Sequence, residues 1–384
     1  MEVYLDNAAT TRCSDAAAEI MKEVLTKDYG NPSAMHHMGV VAEKYVTQAR
    51  KTIAKSLKVK DKEIYFTSGG TESNNLAIKG VLAANKRAGK HIITTEVEHP
   101  SVYNVFKELE TKGYSVTYLP VDKDGLVSVS AVLGAVRDDT SLVSIMHVNN
   151  EVGAVEPVSE LSKMIKGNNS NVIFHVDAIQ SYGKLPLLPE RSGIDMLSVS
   201  GHKIHGPKGS GFIYISDKVK VSPEHLGGGQ ERGMRSGTEN VPAIAGLGEA
   251  VREIFEDEAA YRSTLRSLKE ELINALRDID GVILNGRTDA SSAPHILSVT
   301  VPGVRSEVLL HALEDAGIYV SAGSACSSNH PAPSRTLTAM GLSPQNVEST
   351  IRISLSRYNT SEDISYAAAA MRKIIPQLKK FVRR

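Results

Sequence analysis

The sequence predicts an α/β protein: a large unit with a mostly parallel seven-stranded sheet flanked by helices, and beside it a smaller α+β unit. Three observations carry that expectation. Up to about Val251, short apolar runs alternate with longer segments of helical period. Several of those runs are apolar at successive positions rather than alternate ones, as strands covered on both faces are. Beyond Val251 the character changes to charged, amphipathic helix followed by a second set of short strands. A chain of 384 residues with 41% hydrophobic content has enough apolar material for one large core and a smaller one, so two lobes are expected.

Taken in order, MEVYLDNAATT has neither a basic start nor a long apolar stretch, and TTRCSDAAAE reads as a helix start capped by Ser14. Strands are expected at EIYFT from residue 63, HIITTE from 91, SVTYLP from 115, SLVSIMH from 141, NVIFHVD from 171, MLSVS from 196 and GFIYIS from 211. Ile254, Leu265, Leu268, Leu272, Leu276 and Ile279 then recur at helical spacing, which reads as one long helix linking two lobes. HILSVTVP, GIYVS and TIRISLS supply the second set of strands, closed by the helix EDISYAAAAMRKIIPQLKKF.

Charge and cysteine content narrow the function. Forty-four basic side chains balance 44 acidic ones, which argues against nucleic acid or a membrane as main partner and favours small ligands. No apolar run is long enough to cross a bilayer, and a cytoplasmic location is expected. Cys13 and Cys326 lie far apart, so no disulfide framework is expected and at least one thiol is available for chemistry; no metal site is called for.

Five constellations carry that chemistry. In EIYFTSGGTESNNLAIKGVLA an apolar strand ends in Ser68-Gly69-Gly70-Thr71 and a helix follows at once, with Leu76, Gly80 and Ala83 on one face. Glycines admit a ligand close to the backbone and a helix start offers unpaired N–H groups, so the segment reads as a phosphate seat, although a tight strand-to-helix turn would use the same residues. NVIFHVDAIQS places Asp177 where a strand runs out, at the edge where open α/β sheets bind ligands. A buried acid there needs a cation or a protonated ring nitrogen; a structural salt bridge is the alternative. SVSGHKIHGPKGSGF sets Lys203 among Ser200, His202 and His205. An ammonium held near positive groups and partly desolvated falls from its usual pKa of about 10.4 and becomes able to form an imine, whereas an ordinary surface lysine would need no such setting. Phosphate seat, buried acid and reactive lysine are together what pyridoxal phosphate requires of a protein. In TIRISLSRYNT, period-two alternation puts Ile351, Ile353 and Leu355 on one face and Arg352 on the other, where it can grip a carboxylate through two parallel hydrogen bonds; Arg357 is a rival and a surface ion pair the alternative. Cys326, in VSAGSACSSNHPAPSR, lies among small and polar residues that do little to pin it by burial, so a mobile loop is expected, while Cys13 reads as incidental.

YLDNAATT, YGNPS, FTSGGTESNN, EVEHPSV, MHVNNEVG, HVDAIQS, SVSGHKIHGPKG, GGGQERGMRSGTEN, SAGSACSS and IRISLSRYNT run over practically the whole chain, and together they resemble the cysteine desulfurases of the NifS/IscS type, class V aminotransferases of pyridoxal phosphate fold type I. The resemblance implies pyridoxal 5'-phosphate held as a Schiff base on Lys203. It also implies His99 stacked on the ring, Asp177 at the ring nitrogen, and Gln180 and Asn150 on the ring oxygen and substrate side. Phosphate contacts from Gly70, Thr71, Ser200 and His202 follow, joined by Thr238 reaching across from the second subunit of a homodimer. Arg352 takes the substrate carboxylate, and Cys326 accepts sulfur from L-cysteine as a persulfide, leaving L-alanine. The implied division is a large cofactor-binding domain at 14–256 and a small domain from 1–13 and 257–384 carrying the cysteine loop. SAGSACSS with NHPAPSR resembles the long-loop class associated with iron-sulfur assembly and thiolation, which implies a sulfur-acceptor protein such as an iron-sulfur scaffold; because the chain ends at Arg384 soon after its last helix, docking is expected to differ from tailed members or to be weaker. A class V aminotransferase, a selenocysteine lyase and a non-catalytic scaffold are the competing readings, and only the desulfurase needs the nucleophilic thiol on Cys326.

Overall fold

The computed structural model describes residues 1–322 and 333–382. The seven expected strands form one sheet in the order Ile64–Thr67, Gly211–Ile215, Met196–Ser200, Ile173–Asp177, Thr140–Met146, His91–Thr95, Ser115–Leu119. Gly211–Ile215 runs antiparallel to both neighbours and the other pairings are parallel. Thr140–Met146, Met196–Ser200 and Gly211–Ile215 are buried along their whole length, because helices cover both faces. Neighbouring residues on one strand therefore enter different cores. Ile92, Leu142 and Ile213 pack under the helical segment 70–84 and the helix Pro100–Thr111, whereas Ile93, Val143 and Phe212 join the larger cluster beneath the helices His37–Leu57 and Val241–Glu256.

The second sheet is antiparallel, in the order Ser321–Ala322, Thr350–Ser354, Ile296–Thr300, Ile283–Asn285, and it packs with the helices Glu258–Arg277, Ser306–Glu314 and Ser361–Val382. Ile351, Ile353 and Leu297 share the larger core with Phe174 and Val176, so the hydrophobic interior is continuous between the two sheets. The expected strand GIYVS divides: Ile318–Tyr319 pairs with Val3–Tyr4, and Ser321–Ala322 joins the antiparallel sheet.

Two expectations are corrected. The long helix after Val251 is two helices, Val241–Glu256 and Glu258–Arg277, broken at Asp257 (φ −141°, ψ 69°). The Asp257 carboxylate accepts the Ala260 N–H (3.0 Å), so a residue inside the apolar periodicity acts as the cap of a new helix. In the segment after Gly70, the α-helix Gly70–Asn75 widens to a π-helical turn at Leu76–Gly80 before Val81–Ala84 resumes. That turn rotates the buried face: Leu76 and Gly80 are inside with Ile78 and Val81, and Ala83 is exposed. Ser14 does cap the helix Asp15–Thr26, accepting the Ala17 N–H at 3.2 Å.

Candidate active site

A cavity of about 230 Å³ lies at the carboxyl edge of the parallel strands, where Met146, Asp177 and Ser200 each end a strand and line its wall. Strand register assembles the glycine-rich side. Thr67 and Ser200 both pair with Gly211, so the turn that follows Thr67 comes against the end of the strand Met196–Ser200. The fit is tight: a Cβ on Gly211 would stand 2.7 Å from the Gly69 Cα, and one on Gly70 would stand 2.1 Å from Ile179 Cδ1. Ser73 N–H returns to the Gly69 carbonyl (3.0 Å), which leaves the Gly70, Thr71 and Glu72 amides as the first turn of a helix at the cavity rim, without a partner among the described residues. Glu72 would oppose an anion there, but it is occupied: its carboxylate accepts the Ser68 N–H (2.9 Å) and Arg235 Nε (3.0 Å). Burial pushes its pKa up, and those hydrogen bonds outweigh it, so the carboxyl lies below its ordinary value.

Asp177 is 3% exposed. Two neutral donors hold it, the Ile179 N–H on Oδ1 (3.0 Å) and Asn74 Nδ2 on Oδ2 (2.8 Å), and burial raises its pKa. Asn74 Nδ2 also donates to Ser101 Oγ (2.9 Å), which in turn meets His99 Nδ1 at 2.8 Å. His99 caps the helix Pro100–Thr111 by accepting the Ser101 N–H on Nδ1 (3.1 Å). A nitrogen that accepts a backbone N–H carries no proton, so neutral His99 is protonated at Nε2. Burial lowers the pKa of His99 and favours that neutral form.

Lys203 sits on the short turn Gly201–Lys203 and its Nζ donates to the carbonyls of Ala8 (2.6 Å) and Ala9 (2.5 Å), on the turn of the N-terminal LDNAATT stretch. The same Ala8 carbonyl accepts Gln180 Nε2 at 2.9 Å. The two histidines near Lys203 in sequence bring no positive charge to it. Burial depresses His202 to about 4 and His205 to about 3, so both are neutral at pH 7. His205 is turned away, with its ring against Tyr358 and its Nδ1–H on the Arg12 carbonyl (3.0 Å).

Arg352 reaches the cavity from the second sheet and is 4% exposed. It donates to the Asn150 carbonyl (2.8 Å) and to Asp6 Oδ1 (2.7 Å), and its buried Nε has no partner among the described residues. Its rival Arg357 is outside the cavity, paired with Glu253 at 3.0 Å.

The cavity thus gathers Gly70, Thr71, His99, Asn150, Asp177, Gln180, Ser200, His202, Lys203 and Arg352. Thr238 is elsewhere, in a pocket of about 170 Å³ with Ser68, Glu231 and Arg235, and Cys326 lies outside the described residues. A larger groove of about 650 Å³ beside the helix His37–Leu57 contains none of these residues. Three residues of the site escaped the sequence reading: Asp6, which pairs Arg352; His295, whose Nε2 meets Gln180 Oε1 at 3.3 Å; and Lys184, buried behind Lys203. Only Lys184 left a signal, a lysine set in the otherwise apolar SYGKLPLL a few residues after Asp177.

Known proteins share this arrangement of chain. A cysteine desulfurase IscS of Methanosarcina thermophila is 43% identical over 377 residues, 98% of this chain and 93% of that protein. Among solved structures, a NifS-like protein superposes with a TM-score of 0.92 at 39% identity, covering 98% of this chain and 100% of its own. SspA, solved in complex with cysteine, gives 0.82 at 36% identity, covering 93% and 100%. The description of the class-V aminotransferases matches residues 3–366, and with relatives this similar along nearly its whole length the chain belongs to that family.

Proposed function

We propose that this chain is a cysteine desulfurase that uses pyridoxal 5'-phosphate to take sulfur from L-cysteine, leaving L-alanine and a persulfide on Cys326. The observation that carries the reading is that one cavity is walled by a lysine amine, a buried carboxyl at a strand end and a buried arginine from the second sheet. The residues suit the cofactor. A side chain on Gly70 would fill the cradle, the helix-start amides of Gly70 and Thr71 face an anion's place together with Ser200 and His202, and Asp177 is held by neutral donors, with its charge left for a ring nitrogen. Thr238 lies beyond the glycine turn, in keeping with service to the neighbouring site of a homodimer.

When bound, pyridoxal 5'-phosphate supplies an electron sink that lets the substrate α-proton, and then the carbon–sulfur bond, be broken. The protein's own part is binding, orientation and proton transfer. Lys203 Nζ would hold the cofactor covalently, and its amine would be the base placed to take the substrate α-proton. Asp177 would keep the ring nitrogen protonated, His99 would contact the ring, and Gln180 and Asn150 would serve the ring oxygen and substrate side. Arg352, set by Asp6 and the Asn150 carbonyl, takes the substrate carboxylate. The Cys326 thiolate attacks the substrate sulfur: an S–S bond forms, the C–S electron pair stays with the carbon fragment, and that fragment takes up protons and leaves as L-alanine. L-cysteine plus thiol becomes L-alanine plus persulfide, with no external oxidant. An acceptor protein of iron-sulfur assembly or thiolation removes the sulfur, in the cytoplasm. Residues 14–256 form the cofactor-binding domain in this reading, and 1–13 with 257–384 the small domain that brings Arg352 and Cys326.

Cys326→Ser tests the reading. The variant keeps the yellow colour of the loaded protein and loses release of sulfide from cysteine in the presence of a reductant. Retained turnover would instead identify a selenocysteine lyase or an aminotransferase, and a protein that stays colourless with excess cofactor would identify a non-catalytic scaffold.

A further inference from the structure

Lys184 is 3% exposed, in the turn that follows the strand of Asp177, and it has no part in the mechanism above. Its Nζ donates to the main-chain carbonyl of Lys203 at 2.8 Å, the one acceptor it has among the described residues. A buried ammonium ordinarily sits beside a carboxylate. Here the only charged group acting on it among the described residues is Lys203 itself. The other titratable groups that face it are His202 and His205 on the Lys203 turn and His295 from beside the second sheet, all pushed down by burial first and by Lys184 among the charges, while Lys203 itself also faces Asp177 and His99 across the cavity. Arg262 approaches the next carbonyl, of Leu185 (3.4 Å), and is itself paired with Glu258 at 2.8 Å.

We propose that Lys184 is a positioning residue for Lys203: it anchors the reactive lysine's turn through the Lys203 carbonyl, and it places a second positive charge behind that amine so that the nitrogen of Lys203 gives up its proton more readily. The inference rests on the reading of Lys203 as the cofactor-bearing amine. Two like charges in a poorly solvated place disfavour each other, so the pair titrates together and protonating one makes the other harder to protonate. Burial already brings Lys184 to about 7, which makes its charge available near neutral pH and removable above it. The positive group that the sequence reading asks for beside Lys203 is, in this proposal, a lysine.

The test is a pH titration of the visible absorbance of the cofactor-loaded protein without substrate, for the parent, Lys184→Met and Lys184→Arg. Methionine removes the charge, so the midpoint at which the Lys203–cofactor nitrogen loses its proton rises by about one pH unit or more, a tenfold gain in proton affinity. Arginine stays charged at every pH, so the midpoint falls. Either variant titrating at the parent's midpoint, or shifting in the opposite direction, overturns the proposal; should the methionine variant not fold, the arginine variant decides alone. Borohydride reduction and peptide mapping of the same loaded samples separate the two readings. Label on Lys203 with an unmoved midpoint overturns the role of Lys184 only, whereas label elsewhere overturns the role of Lys203.

Discussion

The two sheets bring ionisable groups to one cavity in different ways. The large sheet delivers them where strands run out: Asp177 ends one strand, Ser200 another, and Lys203 and His99 follow strand ends within a few residues. These groups are held by neutral donors and acceptors, and burial tilts Asp177 and His99 toward their uncharged forms. The small sheet delivers a single arginine from the middle of the strand Thr350–Ser354, with an ion pair to Asp6 already made. A charge in the middle of a buried strand persists only when paired, whereas one at a strand end can wait for a ligand to complete it. The first arrangement suits chemistry and the second suits grip.

That contrast is open to direct attack, beginning where the effect is largest. Lys203→Ala removes the amine proposed to hold the cofactor and is expected to cut cysteine turnover by on the order of 10³-fold or more, with a cofactor that dialysis removes. Arg352→Gln is expected to act on binding: kcat/KM for cysteine falls by about 30- to 1,000-fold, the equivalent of about 2–4 kcal/mol, mainly through KM, while the absorbance of the loaded protein stays as it was. A fall confined to kcat would show that the small sheet takes part in the chemistry and would erase the distinction. The smallest effect concerns stability away from the cavity. Glu156 is buried and pushed from 4.5 up to about 8, with both oxygens accepting only the Val127 N–H among the described residues. The folded state keeps a proton that the unfolded chain has released, so this group's contribution falls as pH rises from about 4.5 to about 8. Glu156→Gln should therefore be close to the parent in denaturant melts at pH 5 and more stable than the parent at pH 8; an equal difference at both pH values would contradict the assignment.

How much the sequence shows follows from the same contrast. Strands covered on both faces, such as Thr140–Met146, Met196–Ser200 and Gly211–Ile215, are short, mostly apolar runs, and the half-exposed edge strand Ser115–Leu119 is marked by its β-branched and aromatic residues, so all seven of the large sheet can be read from the sequence together with the groups at their ends. Arg352 is legible because alternation along TIRISLS marks its face. Its partner Asp6 is not, since 346 residues separate the two and no local pattern links them. The strand Ile283–Asn285 has three residues, too few to show a period, and the break at Asp257 hides inside a continuous apolar spacing because one capping carboxylate decides it. Lys184 reads as one more charge until the fold sets it behind Lys203.

The central claim is that this cavity passes sulfur from free cysteine to one thiol of the chain, and mass measurement of the loaded protein after exposure to L-cysteine tests it most directly. The account predicts one added sulfur atom, removed by reductant and mapped to the peptide of Cys326. No added sulfur, or sulfur carried on Cys13, would contradict it.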